Sequence, residues 1–177
     1  LPGMRPIAGI SQERGNHFVG KWQPDPENFT VAKGSQPIFK LHGSCNWTDA
    51  QSKNLLVLGG NKSLTIRSHA VLKWSHEQFQ HAISENETHL MIIGYSFQDD
   101  HINDIIRSAA TGSNLHLFII DPLGVDVMDQ NKDAPIYTPG ELVKELWPHV
   151  IGASRRSLRE TFGTDHIEHS KVMRFFG

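Results

Sequence analysis

The sequence predicts an α/β fold with a parallel, Rossmann-like sheet, and one strand–helix–strand unit carries most of that prediction. Residues 90–93 and 115–120 are short apolar runs, closed by Gly94 and Asp121. Between them, Ile and Ala recur at the i, i+3, i+4, i+7 spacing of an amphipathic helix. Strands that are apolar on both faces and joined by a helix belong in a parallel sheet with a right-handed crossover. We therefore expect a three-layer core with helices on both faces of the sheet.

The elements before this unit follow from local patterns. Residues 1–36 are rich in Gly, Pro, Asn and Asp, which predicts an irregular segment with a strand or two. The apolar run 37–41 predicts a buried strand that ends at His42, and residues 55–58 predict a second strand. Apolar side chains at helical spacing predict a helix from about residue 70 to residue 83.

The later elements are predicted from helix caps and stops. Asp99 or Asp100 is placed to cap the central helix, and Gly112 is placed to end it. Residues 138–141 match a capping box with Pro at the first helical position, and a last helix is predicted over 154–162. These elements divide the chain into an irregular N-terminal segment, an α/β core and a helical C-terminal extension, at residues 1–36, 37–125 and 126–177.

Composition excludes several classes of partner. The formal net charge of the 177 residues is -2 and the Lys and Arg residues are scattered, so no nucleic-acid partner is expected. No apolar run is long enough to cross a bilayer and no secretory signal is recognisable, so we expect a cytoplasmic location without a membrane partner. Cys45 is the single cysteine, which excludes an intrachain disulfide and a cysteine-based zinc cluster. Self-association into a homo-oligomer is left open.

Small and polar residues follow three of the predicted strands, at the position where parallel α/β sheets bind ligands. These residues are His42, Gly43 and Ser44, then Gly94, Tyr95 and Ser96, and finally Asp121. If the three strands are neighbours, their ends meet in one crevice. There Gly94 would let a ligand approach the backbone, and the amides after Asp100 could face a phosphate. Asp121 could accept hydrogen bonds from ribose hydroxyls, and His42 could take up a proton near neutral pH.

Each of these residues also has a purely structural interpretation. A His after a strand is usually a loop residue, and the Gly-Tyr-Ser sequence at 94–96 is typical of a plain strand-to-loop turn. Asp99 and Asp100 could serve only as a helix cap. No group of His and carboxylate residues has the spacing of a known metal motif, so no bound metal is expected.

Taken together, the motifs resemble the sirtuin superfamily, and in particular the bacterial sirtuin-like domains. Residues 40–44, Lys-Leu-His-Gly-Ser, are similar to the catalytic segment of that superfamily. The other segments that resemble it follow in order at 55–62, 90–97, 99–103 and 117–122. The resemblance covers roughly residues 37 to 122 and implies a Rossmann-like sirtuin core that acts on NAD.

The resemblance also implies roles for individual residues. His42 matches the histidine that acts as general base on the NAD ribose. Gly94 and Ser96 match the turn beside the nicotinamide ribose and phosphates, and Asp121 stands where sirtuins have an Asn near the adenosine ribose. The set of residues expected to contact NAD is completed by Gly43, Ser44, Tyr95 and Asp100. The implied reaction is cleavage of the nicotinamide–ribose bond, with water or an acyl-lysine as the acceptor.

Two features depart from the superfamily pattern. Deacylase sirtuins carry a four-cysteine zinc module after the His-Gly segment, and a single cysteine excludes it. No zinc is therefore expected, and NAD hydrolysis is favoured over deacylation. The glycine-rich phosphate loop, the Thr-Asn-Tyr-Asp-like segment and the catalytic Asn of the superfamily are not found in residues 1–36. Because the chain also does not start with Met, we expect either the C-terminal half of a longer domain or a degenerate member.

Four functional hypotheses follow from the sequence. The first is an NAD hydrolase, for which the resemblance implies a role in bacterial anti-phage defence. The second is a module that binds NAD or an ADP-ribose-type ligand without turning it over. The third is a protein-interaction module that has kept the sheet and lost the ligand, and the fourth is a zinc-free protein deacylase.

Overall fold

The computed structural model describes residues 1–8, 12–14, 17–129 and 140–176, with the backbone alone for 12–14 and 17–19. The described elements fall into two compact units, Leu1–Phe79 and Gln80–Gly177. The predicted boundaries at residues 36 and 125 stay predictions. No helix in these described ranges has the length and apolar character that a bilayer crossing requires.

The first unit is built on short strands. They are β1 (Met4–Pro6), β2 (Gln12–Arg14), β3 (His17–Val19), β4 (Trp22–Pro24), β5 (Gly43–Thr48) and β6 (Asn54–Leu56). Four of them form a sheet in the order β1-β4-β5-β6, in which only the β4–β5 pair is parallel, and β2 and β3 pair separately as an antiparallel hairpin. The described residues before position 37 therefore form four strands, more than the one or two predicted.

Two helices complete the first unit, α1 (Lys62–Ser68) and α2 (Ala70–Ile83). The second confirms the predicted helix at 70–83, and its last residues, 80–83, belong to the second unit. The buried core of the first unit joins both helices to the sheet through Met4, Trp47, Leu55, Val57, Ile66, Val71 and Leu72. Non-directional apolar burial of this kind is what holds such short strands together.

The predicted strand over 37–41 is wrong. Residues 37–40 have no regular secondary structure, residues 41 and 42 form a turn, and β5 starts only at Gly43. The apolar side chains of the run do not enter a sheet. Ile38 is 65% exposed, and the Phe39 ring packs edge-on against the Trp74 ring, with the ring centres 5.5 Å apart. An apolar run that reads as a strand is here a loop that packs on α2.

The second unit contains the predicted parallel sheet. Its elements are β7 (His89–Ile93), α3 (Asp100–Ser113), β8 (His116–Ile120), α4 (Glu141–Leu146), β9 (Val150–Ser154) and α5 (His166–Phe175). All three strands are parallel and lie in the order β7-β8-β9. Between β7 and β8, the paired residues run from His89↔His116 to Ile93↔Ile120. The strand–helix–strand unit and the Rossmann-like α/β fold class are thereby confirmed.

The central strand of this sheet is buried on both faces. Leu117, Phe118, Ile119 and Ile120 are all at most 4% exposed. Phe118 and Ile120 pack against Val172 of α5. Since side chains alternate along a strand, Leu117 and Ile119 face the side of the sheet opposite to α5.

The C-terminal part differs from its prediction in two respects. No strand was predicted at β9. The helix predicted over 154–162 is wrong in its first half, where Ser154 pairs with Ile120, whereas residues 158–159 are α-helical and continue into a π-helical turn over Glu160–Thr164. The last helix starts later, at His166, where the Asp165 carboxylate caps it by accepting the backbone N–H groups of Ile167 and Glu168 at 2.9 and 3.1 Å. In the predicted capping box at 138–141, residues 138 and 139 lie outside the described residues, and α4 starts at Glu141.

We predict that Gly152→Ala destabilises the second unit by about 1–3 kcal/mol. Gly152 lies opposite Phe118 in the register, and a Cβ at this position would stand 2.6 Å from the Phe118 ring. The matched control is Gly112→Ala. Residue 112 lies in helix α3, and a Cβ added there meets no atom within 4 Å. Urea unfolding should leave the G112A midpoint unchanged or raised, whereas equal midpoints for both variants would contradict the packing described for β8 and β9.

Candidate functional site

The carboxyl ends of β7 and β8 meet at one edge of the parallel sheet. The register pairs Ile93 with Ile120, and the Gly94 N–H extends the ladder by donating to the Ile120 carbonyl at 3.0 Å. Asp121 follows Ile120 and donates its own N–H to the Ser154 carbonyl of β9 at 3.1 Å. The predicted convergence of Gly94 and Asp121 is therefore present within the second unit, at the edge where ligands bind in open parallel sheets.

Gly94 presents open backbone at this edge. Its φ is +60°, a conformation that favours glycine, and an added Cβ would meet no atom within 4 Å. Gly94 and Ser96 are both exposed. A ligand can thus approach the backbone at residues 94–96 without displacing a side chain.

Tyr95 turns inward and stabilises the loop that follows Gly94. Its hydroxyl donates to Asn103 Oδ1 at 2.9 Å, and the Asn103 amide donates to the Phe97 carbonyl at 2.9 Å. Phe97 is fully buried and has a φ of +54°. Burial and the neighbouring Asp99 carboxylate raise the pKa of Tyr95, so its hydroxyl stays protonated and available as a donor.

Asn103 was not singled out by the sequence reasoning. It is 4% exposed on α3, facing inward among apolar side chains. A polar residue on the apolar face of a predicted helix is the signal that could have identified it.

Asp121 opens a tight turn after β8. Its Oδ1 accepts the Leu123 N–H at 2.8 Å, and its carbonyl accepts the Gly124 N–H at 2.7 Å. An aspartate that bonds to the backbone two residues on forms an Asx turn. Because a carboxylate has acceptor sites on two oxygens, the turn is compatible with further hydrogen bonds to ribose hydroxyls.

Asp100 lies in a different environment from the one expected for a phosphate contact. It lines a cavity of about 430 Å³ between α3 and α4, together with Asn103, Asp104, Arg107 and Glu141. Three carboxylates and one guanidinium line this cavity, a balance that disfavours an anion. The binding role of Asp100 stays a prediction.

His42 lies in a tight turn of the first unit. The Gly43 N–H donates to the Lys40 carbonyl at 2.9 Å, and the His42 carbonyl accepts the Val57 N–H at 2.9 Å. Gly43 has a φ of +75°, and a Cβ there would stand 2.1 Å from the Leu55 carbonyl oxygen. Only glycine fits this position, for reasons of both conformation and space.

Ser44 is held by Lys40 across the same turn. The Lys40 ammonium donates to Ser44 Oγ at 2.9 Å and lies 6.0 Å from the centre of the Trp47 ring. The turn therefore carries a fixed positive charge next to the hydroxyl.

A second histidine, His76 of α2, belongs to this group and was missed by the sequence reasoning. Its Nε2 lies 3.0 Å from the Leu41 carbonyl oxygen, and its ring centre lies 6.5 Å from that of His42. Burial lowers the pKa of His76, the hydrogen bond to Leu41 opposes that shift, and the His42 charge lowers it further. The signal was the spacing of His76, four residues after Leu72 and three before Phe79 on the apolar face.

The expectation that three strand ends lie side by side in one sheet is wrong. β5, which follows His42, pairs with β4 and β6 in the first unit, whereas Gly94 and Asp121 follow strands of the second unit. His42 moreover stands before a strand and not after one. The parallel sheet brings two of the three predicted groups together, and the third is built by a separate turn.

The chain also matches a known protein family. The profile of the SIR2-like domain matches residues 10–137, more than two thirds of the chain. The chain belongs to the SIR2-like family. The matched range of this SIR2-like domain contains the His42 turn, the Gly94 loop and Asp121, and membership indicates an NAD-related function. Among curated proteins and among solved structures, the comparison found no match.

We predict that Gly43→Ala costs about 1–3 kcal/mol more of the unfolding free energy than Gly34→Ala. Both residues have positive φ, +75° and +76°, so both substitutions carry the same backbone strain. An added Cβ at Gly34 meets nothing within 4 Å, whereas the one at Gly43 meets a backbone oxygen. Urea unfolding followed by Trp fluorescence measures the difference, and indistinguishable midpoints would refute the close approach of the His42 turn to β6.

Proposed function

We propose that this SIR2-like domain consumes NAD by hydrolysing the bond between nicotinamide and ribose. The observation that carries the proposal is the open backbone of Gly94 beside Asp121, at the carboxyl edge of a parallel sheet in a member of this family. In open α/β sheets, cofactor-sized ligands bind at such an edge, where bare backbone can face the phosphates and acceptors can face the ribose hydroxyls.

The edge residues have complementary roles in this proposal. Gly94 and Ser96 would contact the nicotinamide ribose and phosphate side through the backbone and the hydroxyl. Asp121 would accept hydrogen bonds from the adenosine ribose. Tyr95 would act indirectly, since its hydroxyl bonds to Asn103 and so fixes the loop that carries the two contact residues.

His42 is the proposed general base. Its neutral imidazole would take a proton from a ribose hydroxyl while the C–N bond to nicotinamide breaks and nicotinamide leaves with the bonding electrons. Water then forms the new bond to the anomeric carbon and releases a proton, so that NAD and water give nicotinamide, ADP-ribose and one proton. Gly43 shapes the turn that presents the imidazole, and Ser44 follows on the same strand.

Water is favoured as the acceptor over an acyl-lysine. The chain has a single cysteine, so the four-cysteine zinc module that accompanies deacylation in sirtuins has no ligands here. The resemblance to bacterial sirtuin-like NAD hydrolases extends the proposal to anti-phage defence, in which case the NAD level of expressing cells should fall after infection.

A second candidate function is binding of NAD or an ADP-ribose-type ligand without turnover. One observation favours it, since Gly94 and Asp121 both belong to the second unit, whereas His42 belongs to the first. A binding module needs only the sheet edge. Thermal stabilisation by NAD without nicotinamide release would select this function over hydrolysis.

We predict that His42→Ala lowers nicotinamide release from NAD by the full-length protein roughly a hundredfold or more, the usual effect of removing a general base. The matched control is His81→Ala, which removes an exposed histidine of α2 whose partner is Glu85. Nicotinamide is quantified by chromatography at equal protein concentration. Turnover by H42A at the wild-type rate would remove His42 from the mechanism, and a loss in H81A would show that the assay reports general damage.

We predict that Gly94→Ala raises the Kd for NAD about tenfold or more, because its methyl group occupies the space through which the ligand approaches the backbone. Gly34→Ala is the control, since it introduces the same strain at an equally open glycine with positive φ. Isothermal titration on both variants gives the affinities. An unchanged Kd in G94A would show that NAD does not bind at this edge.

A further inference from the structure

Three consecutive carbonyl groups around His42 each accept one hydrogen bond. The Lys40 carbonyl accepts from the Gly43 backbone at 2.9 Å, and the His42 carbonyl accepts from the Val57 backbone at 2.9 Å. The middle carbonyl, that of Leu41, lies 3.0 Å from His76 Nε2. The side chain of His76 thus supplies the contact that joins the turn to helix α2, across 35 positions of sequence.

The carbonyl oxygen of Leu41 determines which ring nitrogen of His76 carries the hydrogen. A carbonyl oxygen can only accept, so Nε2 of His76 carries the hydrogen and donates it. His76 is 9% exposed, and Leu72 beside it on α2 is fully buried, so the ring is held by packing as well as by the bond. A donor on a rigid helix can hold a loop residue in one place better than a donor on another loop.

We propose that His76 is a positioning residue for His42, holding the turn so that the His42 imidazole keeps one orientation toward the NAD ribose. This inference rests on the proposed function and deepens it. His76 itself exchanges no proton with the substrate, and its contribution is the fixed geometry that general-base catalysis requires.

The charge state of His76 is consistent with that role. Its pKa lies below the ordinary 6.5, so the ring is neutral at and above neutral pH and does not oppose the charge that His42 gains as a base. The His42 charge on the turn contributes to that shift, and on α2 itself the neighbouring Lys73 and Glu77 pair with each other at 3.7 Å. As pH falls below 6.5, the unfolded chain binds the proton first, so the fold loses stability until the lower folded pKa is reached.

The test compares His76→Gln with His76→Asn. The glutamine amide nitrogen reaches about as far as Nε2 and can donate to the Leu41 carbonyl, whereas the asparagine amide is too short. Both variants bury a neutral amide, so their effects on packing are similar. We expect kcat of H76Q within about threefold of the wild type, and kcat of H76N lower by roughly tenfold with KM changed less than about twofold.

The pH profile separates positioning from proton transfer. We expect the acid limb of kcat/KM to have the same apparent pKa in H76Q as in the wild type, because a residue that only positions the base adds no titration of its own to the profile. Equal activity of H76N and H76Q would overturn the proposal. Loss of the acid limb in H76Q would also overturn it, because His76 would then be a base in its own right.

Amide hydrogen exchange gives a readout that does not depend on turnover. In H76N, the Gly43 and Val57 amides that close the turn should exchange at least about tenfold faster than in H76Q, at equal global stability. If the wild-type protein releases no nicotinamide, the proposed function fails, and the exchange rates still decide whether His76 fixes the turn. Equal protection in both variants would show that it does not.

Discussion

The parallel pairing of β8 with strands on both sides is the constraint on which the second unit depends. Leu117 to Ile120 are buried on both faces, so β8 can occupy only the centre of its sheet. The one register with β7 places Gly94 and Asp121 at the same edge, because the residues before them, Ile93 and Ile120, are paired. A candidate ligand site is therefore a direct consequence of where two apolar strands stop.

The His42 turn has a different origin. No strand end presents this histidine; local hydrogen bonds, a glycine that tolerates no Cβ and the side chain of His76 do so. The two groups that the sirtuin resemblance joins in one function are thus built by separate physical means, which makes their contributions experimentally separable.

Much of the second unit could be predicted from the sequence because its signals are local and strong. The apolar runs of β7 and β8 and the helical spacing of α3 each identify one element without tertiary information. The glycine at 94 and the aspartate at 121 mark the strand ends. The family relationship was likewise recognisable from the ordered motifs, and the match over residues 10–137 confirms it.

The remaining elements could not be predicted because tertiary packing decides them. The apolar residues 37–41 read as a strand, yet Phe39 packs on Trp74 and the chain turns before pairing begins. β9 is only five residues long and contains Gly152, which the Phe118 ring covers from the neighbouring strand. His76 is identifiable as a partner of the turn only when the distance to Leu41 is known. NAD binding at the sheet edge can be tested by an NMR titration of the full-length, ¹⁵N-labelled protein with a carbocyclic NAD analogue that cannot release nicotinamide. We expect saturable shifts centred on the amides of Gly94 to Ser96, Asp121 and Gly43, whereas saturable binding that leaves these amides unmoved, or no binding, would contradict an NAD site at this edge.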